Sequence, residues 1–192
     1  MSSQSTLTIL PSLGEYFRDP VSQALRGQEV SASAATESYI VELLAHFANP
    51  CEDARPTLRQ PLTFLLRDAL AQTGAERFRR LQMLGDGVLY GVGFFGEGID
   101  DADRRYFIHV GQSAYGHAAT MLSMSAANDT DNVLGELARR FDRYVAVLRD
   151  VSDFLMAMAA RGQADVVRIY ERWQRTGSRV LADALGQRGL VP

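Results

Sequence analysis

The sequence predicts an all-α protein, a single-domain irregular bundle of seven or eight helices. Apolar residues recur every three or four positions over most of the 192 residues, the spacing of helices that bury one face. Glycine, proline and asparagine interrupt this pattern where helices end. Residues 1–8, rich in serine and threonine, are predicted to be a flexible tail, which leaves residues 9–192 for the helical domain.

An N-cap and a proline mark the first helix. Asp19 followed by Pro20 is the combination typical of an N-cap and a first helical position. We expect a short helix from there to about Arg26, ended by Gly27, with only a helical turn over residues 11–17 before it.

The next two predicted helices are separated by a loop over residues 49–60. Ser33–Thr36 opens the first of them, whose apolar face consists of Tyr39, Ile40, Leu43, Leu44 and Phe47. Pro61 opens the second, for which Gly74 is the predicted C-cap. The loop contains Cys51, and because it is the single cysteine, no disulfide forms within the chain.

A glycine-rich stretch forms the predicted centre of the bundle. Six of the 16 glycines lie from Gly85 to Gly98. The apolar residues between them step by three or four, which favours a helix over residues 75–96, although each glycine costs about 0.5–1 kcal/mol relative to alanine. The alternative, two strands around Gly91–Gly93, would leave a lone hairpin in a helical chain.

Small residues also share one face of the following helix, predicted over residues 104–125 and capped by Asp100–Asp103. That face consists of Gly111, Ala114 or Tyr115, and Ala118. We expect it to cross the glycine face of the helix over residues 75–96, with small residues against small residues.

Three more helices complete the prediction. The longest covers residues 132–160 and carries an apolar stripe, with Asp150 among the charged residues that lie off the stripe. The last two cover residues 164–175 and 178–187. The residues expected to face inward from the first of these are Val166 and Val167, Ile169 and Tyr170, and Trp173.

Charge and composition limit the function. The formal net charge of −3 gives no reason to expect nucleic acid or a membrane surface as a partner. No apolar run is long enough for a membrane span and no secretory signal opens the chain, so we expect a cytoplasmic protein of bacterial type. All 20 basic residues are arginine. A GC-rich genome explains this bias, and recognition of phosphate or carboxylate groups is the functional alternative.

Asp86 is the one charge placed among the glycines and apolar residues of the predicted crossing. A buried carboxylate needs a partner, for which arginine side chains and Tyr or Ser hydroxyls are candidates. Two histidines eight residues apart point to roughly one side of their helix. We therefore define a candidate ligand-binding pocket of Asp86, Tyr106, His109, Tyr115 and His117. No zinc or di-iron spacing is present, so neither a metal nor a cofactor is expected.

Two hypotheses about function follow. No nucleophile elbow, P-loop, Cys-x-x-Cys or Ser/His/Asp order is present. The first hypothesis is therefore a noncatalytic partner-binding or regulatory protein, which binds another protein or itself, for example as a homodimer. The alternative is a small-ligand or metal-binding protein, or an enzyme, with a buried polar pocket around Asp86.

Two resemblances add to these hypotheses. Leu81-Gln-Met-Leu-Gly-Asp-Gly-Val-Leu89 resembles the signature helix of the ribonuclease III family, which implies a metal-dependent nuclease with Asp86 as a metal-binding acid. Arg79 and Gln82 stand where that family has glutamates. Motifs over most of the chain resemble a family of uncharacterised bacterial helical proteins, which implies a helical architecture and no particular activity. These motifs are Leu84-Gly-Asp86, Gly93-Phe-Phe95, Gly111-Gln-Ser-Ala-Tyr115, Ile169-Tyr-Glu-Arg-Trp173 and Thr176-Gly-Ser178.

Overall fold

Nine helices make up the regular structure of the described residues of a computed structural model, which are 13–48, 61–125 and 132–190. They are α1 (Leu13–Gly27), α2 (Ala34–Phe47), α3 (Leu62–Leu70), α4 (Gly74–Phe95), α5 (Asp101–Ser125), α6 (Val133–Arg139), α7 (Phe141–Ala159), α8 (Gln163–Thr176) and α9 (Arg179–Gly186). The all-α fold class is thus confirmed. Among the described residues, no helix is both long enough and apolar enough to cross a membrane.

Some sequence predictions lie outside the described residues. These are the tail over residues 1–8 and the loop over residues 49–60, which contains Cys51. The assignment of residues 9–192 to one domain stays a prediction.

The described helices outnumber the predicted seven or eight because the long helix expected over residues 132–160 is broken. Arg140 has φ −131° and ψ 34°, outside the helical region, and it separates α6 from α7. Its guanidinium donates a hydrogen bond to the backbone carbonyl of Ser31 at 3.0 Å. The apolar spacing continues through the break, so periodicity alone does not reveal it.

Two other predicted helix ends are wrong. α1 begins at Leu13 and continues through Pro20, so Asp19 lies inside the helix and does not cap it. Gly74 begins α4 with φ +56°, a conformation that glycine adopts at little cost. The helix before it, α3, already ends at Leu70.

Two predicted N-terminal caps are present. The Ser33 hydroxyl accepts a hydrogen bond from the backbone N–H of Thr36 at 3.1 Å, which fixes the start of α2. Asp100 accepts from the N–H groups of Ala102 at 2.9 Å and Asp103 at 2.8 Å, at the start of α5. Both caps satisfy N–H groups that have no partner within their own helix.

α4 is the central helix of the bundle. Its contacts with α5 and with α7 are the two most extensive between described helices. From Leu84 to Gly93 every residue is buried except Asp86, which is half-buried. A helix that is apolar on nearly all sides belongs in the middle of a bundle. A smaller apolar cluster, around Ile169 and Leu181, joins α8 to α9.

The predicted close contact between α4 and α5 is present, but Gly85 meets a large side chain there instead of the small residue expected, and Gly93 meets a large side chain of α7. A Cβ atom at Gly85 would lie 2.4 Å from the ring of Tyr115 on α5. A Cβ atom at Gly93 would lie 2.6 Å from the Cβ atom of Leu148, which is on α7. Each glycine therefore provides the space that a large residue of the neighbouring helix occupies.

Three predicted orientations are also wrong. Val167 and Tyr170 of α8, expected to face inward, are exposed, whereas Ile169 between them is fully buried. Asp150, expected off the buried stripe of α7, is only 8% exposed. It accepts a hydrogen bond from the side-chain amide of Gln28 at 2.6 Å, so a polar partner accompanies its burial.

A pair of glycine-to-alanine variants tests the packing of α4 against α7. Gly93→Ala places a methyl group 2.6 Å from Leu148 Cβ and 3.2 Å from the carbonyl oxygen of Val145, so the helices must separate. We expect the free energy of unfolding to fall by about 1–3 kcal/mol, measured by urea denaturation. Gly116→Ala, which meets no atom within 4 Å, is the control and should retain or raise stability. Wild-type stability of Gly93→Ala would contradict this packing.

Candidate functional site

Two tyrosine hydroxyls from two other helices hold the carboxylate of Asp86. Tyr39 of α2 and Tyr115 of α5 each donate a hydrogen bond to Oδ1 of Asp86 at 2.6 Å. Gln82, one turn earlier on α4, donates to the hydroxyl oxygen of Tyr39 at 3.0 Å. These four residues, which we call the Asp86 cluster, join α2, α4 and α5.

Burial raises the pKa of Asp86 to about 6. The hydrogen bonds from Tyr115 and Tyr39 and the nearby charge of His46 act in the opposite direction, so desolvation is the largest effect. Burial and the charge of Asp86 raise the pKa of both tyrosines, which therefore stay protonated and remain donors. The cluster thus surrounds the carboxylate with groups that stabilise its charge.

Of the five residues predicted to form a pocket, the structure brings together only Asp86 and Tyr115. His109 and His117 are exposed. Tyr106 is 38% exposed, and its hydroxyl accepts a hydrogen bond from the backbone N–H of Thr63 at 2.9 Å. A ligand-binding role for these residues stays a prediction.

Sequence analysis did not select Tyr39 or Gln82. Gln82 precedes Asp86 by four residues and so lies on the same face of α4, a spacing visible in the sequence. Tyr39 belongs to the apolar face predicted for α2, and a buried tyrosine needs a partner for its hydroxyl. Nothing in the sequence identifies that partner, because Tyr39 and Asp86 are 47 residues apart.

No group of three or more His, Cys, Asp or Glu side chains that could hold a metal ion is present within residues 13–48, 61–125 and 132–190. The hydrogen-bond donors to Asp86 are hydroxyl groups, and a two-metal site needs several carboxylates. The acid set implied by the ribonuclease III resemblance therefore does not assemble around Asp86.

A second polar site lies where α7 meets the ends of α4, α5 and α8. It is a cavity of about 340 Å³, which we call the arginine pocket. Its charged lining residues are Glu97, Asp101, Arg104, Arg149, Arg172 and Arg175. The residues Gly93 and Gly96 form part of the wall, so the end of the central helix shapes this cavity as well.

Arg172 and Arg175, one turn apart on α8, are ion-paired within the arginine pocket. Arg172 is 8% exposed, and its Nε lies 2.7 Å from Oδ1 of the fully buried Asp153. That contact is an attraction between charges without hydrogen-bond alignment, since neither atom has a hydrogen-bond partner. Glu97 lies between the two arginines, with Oε2 3.4 Å from Nη1 of Arg172 and Oε1 paired with Arg175.

Burial also affects the acids behind the arginine pocket. It raises the pKa of Asp153, while the charge of Arg172 opposes the rise, and neither carboxylate oxygen of Asp153 has a hydrogen-bond partner among the described residues. The pKa of Asp150 is raised by burial in the same way, and the amide of Gln28 and the charge of Arg149 oppose it. For both acids, desolvation is the largest effect on the pKa, and nearby side chains offset part of it.

Arg104 and Arg149 form no ion pair with any residue that the structure describes. Arg104 donates a hydrogen bond to the carbonyl oxygen of Gly96 at 2.8 Å. The Nε atom of Arg149 is buried and has no hydrogen-bond partner among the described residues. A buried donor without an acceptor lowers the free energy of unfolding. The unpaired Nε–H of Arg149 is therefore unusual for a side chain with a structural role alone.

Sequence analysis missed the arginine pocket because its residues come from distant parts of the chain. Arg104, Arg149 and Arg172 belong to α5, α7 and α8, and no local motif connects them. The available signal was compositional, since a chain without lysine suits recognition of phosphate or carboxylate.

Comparison of the chain with protein-family models, with curated proteins and with solved structures finds no match. The two resemblances drawn from the sequence therefore stay predictions. The function has to be inferred from the geometry of the two polar sites.

Replacing Asp86 by asparagine tests its environment. Because the folded-state pKa of about 6 exceeds the ordinary value of 3.8, the folded protein binds this proton more tightly than the unfolded chain does. The stability contributed by protonated Asp86 is therefore complete below about pH 4 and is lost as the pH rises through 6. Asparagine does not ionise, so the Asp86→Asn protein does not undergo this loss. The free energy of unfolding of Asp86→Asn, relative to that of wild type, should therefore rise by about 2–3 kcal/mol between about pH 4 and about pH 6.

The measurement is urea denaturation of both proteins at several pH values. Asp183→Asn, which changes an exposed carboxylate on α9, is the matched control and should show no comparable trend. A difference between Asp86→Asn and wild type that does not vary with pH would show that Asp86 is not desolvated in the folded protein.

Proposed function

We propose that the protein binds a small anionic ligand, through a phosphate or carboxylate group, in the arginine pocket. The observation that carries this proposal is the buried Nε–H of Arg149, which has no acceptor among the described residues and belongs to a side chain that lines the cavity. An anion bound in the cavity would lie against the guanidinium of Arg149 and offset its charge. Guanidinium groups suit that role because their planar donors match two oxygens of a carboxylate or phosphate.

Glu97 supports the proposal from within the chain. Its carboxylate is held by Arg172 and Arg175 through one oxygen each, so these arginines already hold one anionic group. Arg104 and Arg149 line the same cavity without an ion-pair partner among the described residues. We therefore place the anionic group of the ligand against Arg104 and Arg149.

The overall negative charge of the chain does not oppose this proposal. Four arginines and two carboxylates line the pocket, so its lining carries a formal excess of positive charge although the chain carries −3, and the buried Asp153 behind it offsets part of the charge of Arg172. Charges farther away than about 8–10 Å are largely screened at physiological ionic strength. The nearby guanidinium groups therefore have the greatest influence on an anion in the cavity.

We propose binding and assign no reaction. The groups that line the pocket are hydrogen-bond donors and two carboxylates, a set suited to holding an anion in place. We also propose that the protein is cytoplasmic and that binding of the anion serves a regulatory role, as expected from the sequence.

Binding of a protein partner, or association into a homodimer, is a separate proposal that native mass spectrometry tests. A single species at the monomer mass of 21.2 kDa would contradict the homodimer.

Titration with inorganic phosphate and with acetate, followed by calorimetry at low ionic strength, tests the anion site. Arg149→Gln removes the charge and the unpaired donor, and loss of one charge-assisted hydrogen bond corresponds to about tenfold to a hundredfold weaker binding. Arg143→Gln makes the same charge change at an exposed position of α7 and should bind like wild type. Equal binding by both variants, or no binding of either anion to wild type, would contradict the proposal.

A further inference from the structure

A larger cavity lies beside the arginine pocket. It has a volume of about 740 Å³ and is formed by the end of α1, the second half of α7, and α9 with the turn before it. Arg149 and Thr176 line both cavities. When Arg149 holds the anionic group of a ligand, the rest of that ligand can therefore occupy either cavity. The cavity beside the arginine pocket is about twice as large as the arginine pocket.

The larger cavity offers both hydrogen-bond donors and acceptors. Gln23, Gln28 and Gln187 line it together with Asp150 and Asp183, although the amide of Gln28 already donates a hydrogen bond to Asp150. An amide both donates and accepts, and an ionised carboxylate accepts. Hydroxyl groups, which also donate and accept, are the ligand groups that match such a lining.

The charge of this cavity disfavours a cationic ligand body. Three arginines, Arg149, Arg179 and Arg188, line it against the carboxylates of Asp150 and Asp183. The excess of positive charge repels an ammonium group of a ligand. A neutral ligand group that carries several hydroxyls does not experience this repulsion. Phe154, which lies in the same wall, offers an apolar surface for the carbon face of a ring.

We infer that the ligand is a phosphorylated sugar, with its phosphate on Arg149 in the arginine pocket and its hydroxyl-bearing ring in the larger cavity. This inference rests on the proposed anion site and adds the class of molecule that occupies it. A binding site of this kind combines one charged anchor with several hydrogen bonds that fix the orientation of the ligand.

Calorimetric titration of the full chain with ribose 5-phosphate, inorganic phosphate and ribose tests the inference. We expect ribose 5-phosphate to bind about tenfold or more tightly than inorganic phosphate, because the ring adds several hydrogen bonds, and ribose alone to bind more weakly than either. Equal affinities for ribose 5-phosphate and inorganic phosphate would overturn the sugar assignment and leave the anion site standing. No binding of either phosphate compound would overturn both, and equal binding of ribose and ribose 5-phosphate would overturn the role of phosphate as the anchor.

Two variants locate the ring. Ala184→Phe fills part of the larger cavity from α9, and Asp183→Ala removes a hydrogen-bond acceptor at an exposed position of the same helix. Each should weaken ribose 5-phosphate binding about tenfold while inorganic phosphate still binds. Because Asp183 is exposed, its replacement tests the inference even if Ala184→Phe does not fold. Unchanged ribose 5-phosphate binding by Asp183→Ala and by folded Ala184→Phe would contradict this location.

Discussion

The close approach of neighbouring helices to two glycines of α4, Gly93 and Gly85, is the constraint on which the two polar sites depend. Leu148 occupies the space that a side chain at position 93 would fill. This contact places α7, and with it Arg149, beside the end of the central helix, where α8 brings Arg172 to the same cavity. Gly85 has the corresponding role toward α5, since it makes room for the ring of Tyr115 beside Asp86. Each polar site thus depends on one glycine of the central helix.

The two sites differ in how well their buried groups are satisfied. Asp86 accepts hydrogen bonds from two tyrosine hydroxyls, and the hydroxyl of one of them, Tyr39, accepts from Gln82. Such a network stabilises the junction of three helices, and none of its side-chain atoms is buried without a hydrogen-bond partner. In the arginine pocket, by contrast, the buried Nε of Arg149 has no acceptor among the described residues. Since most buried polar groups in proteins are paired, the unpaired donor is the stronger indication of a binding site.

Much of the fold was predictable from the sequence, because helix periodicity is a local property. The spacing of apolar residues predicts α4 despite its glycines, and Ser33 marks the start of α2. The break at Arg140 was not predictable, because the apolar spacing continues on both sides of it. The burial of Asp150 depends on Gln28, which is 122 residues away, and the arginine pocket likewise depends on residues from several helices. Asp86 was recognisable as an unusual charge, but its tyrosine partners are set by the tertiary structure.

Arg149 lines the arginine pocket with a buried Nε–H that has no acceptor among the described residues, and we propose that its guanidinium binds an anionic ligand. The most direct test is to follow the ¹H–¹⁵N NMR signals of the arginine Nε–H groups during titration with inorganic phosphate, with assignments from Arg149→Gln and Arg143→Gln. We expect a saturable shift of the Arg149 signal, because an anion lies against its guanidinium group, while the signal of the exposed Arg143 stays nearly unchanged. An Arg149 signal that does not respond, or that moves no more than that of Arg143, would contradict this proposal.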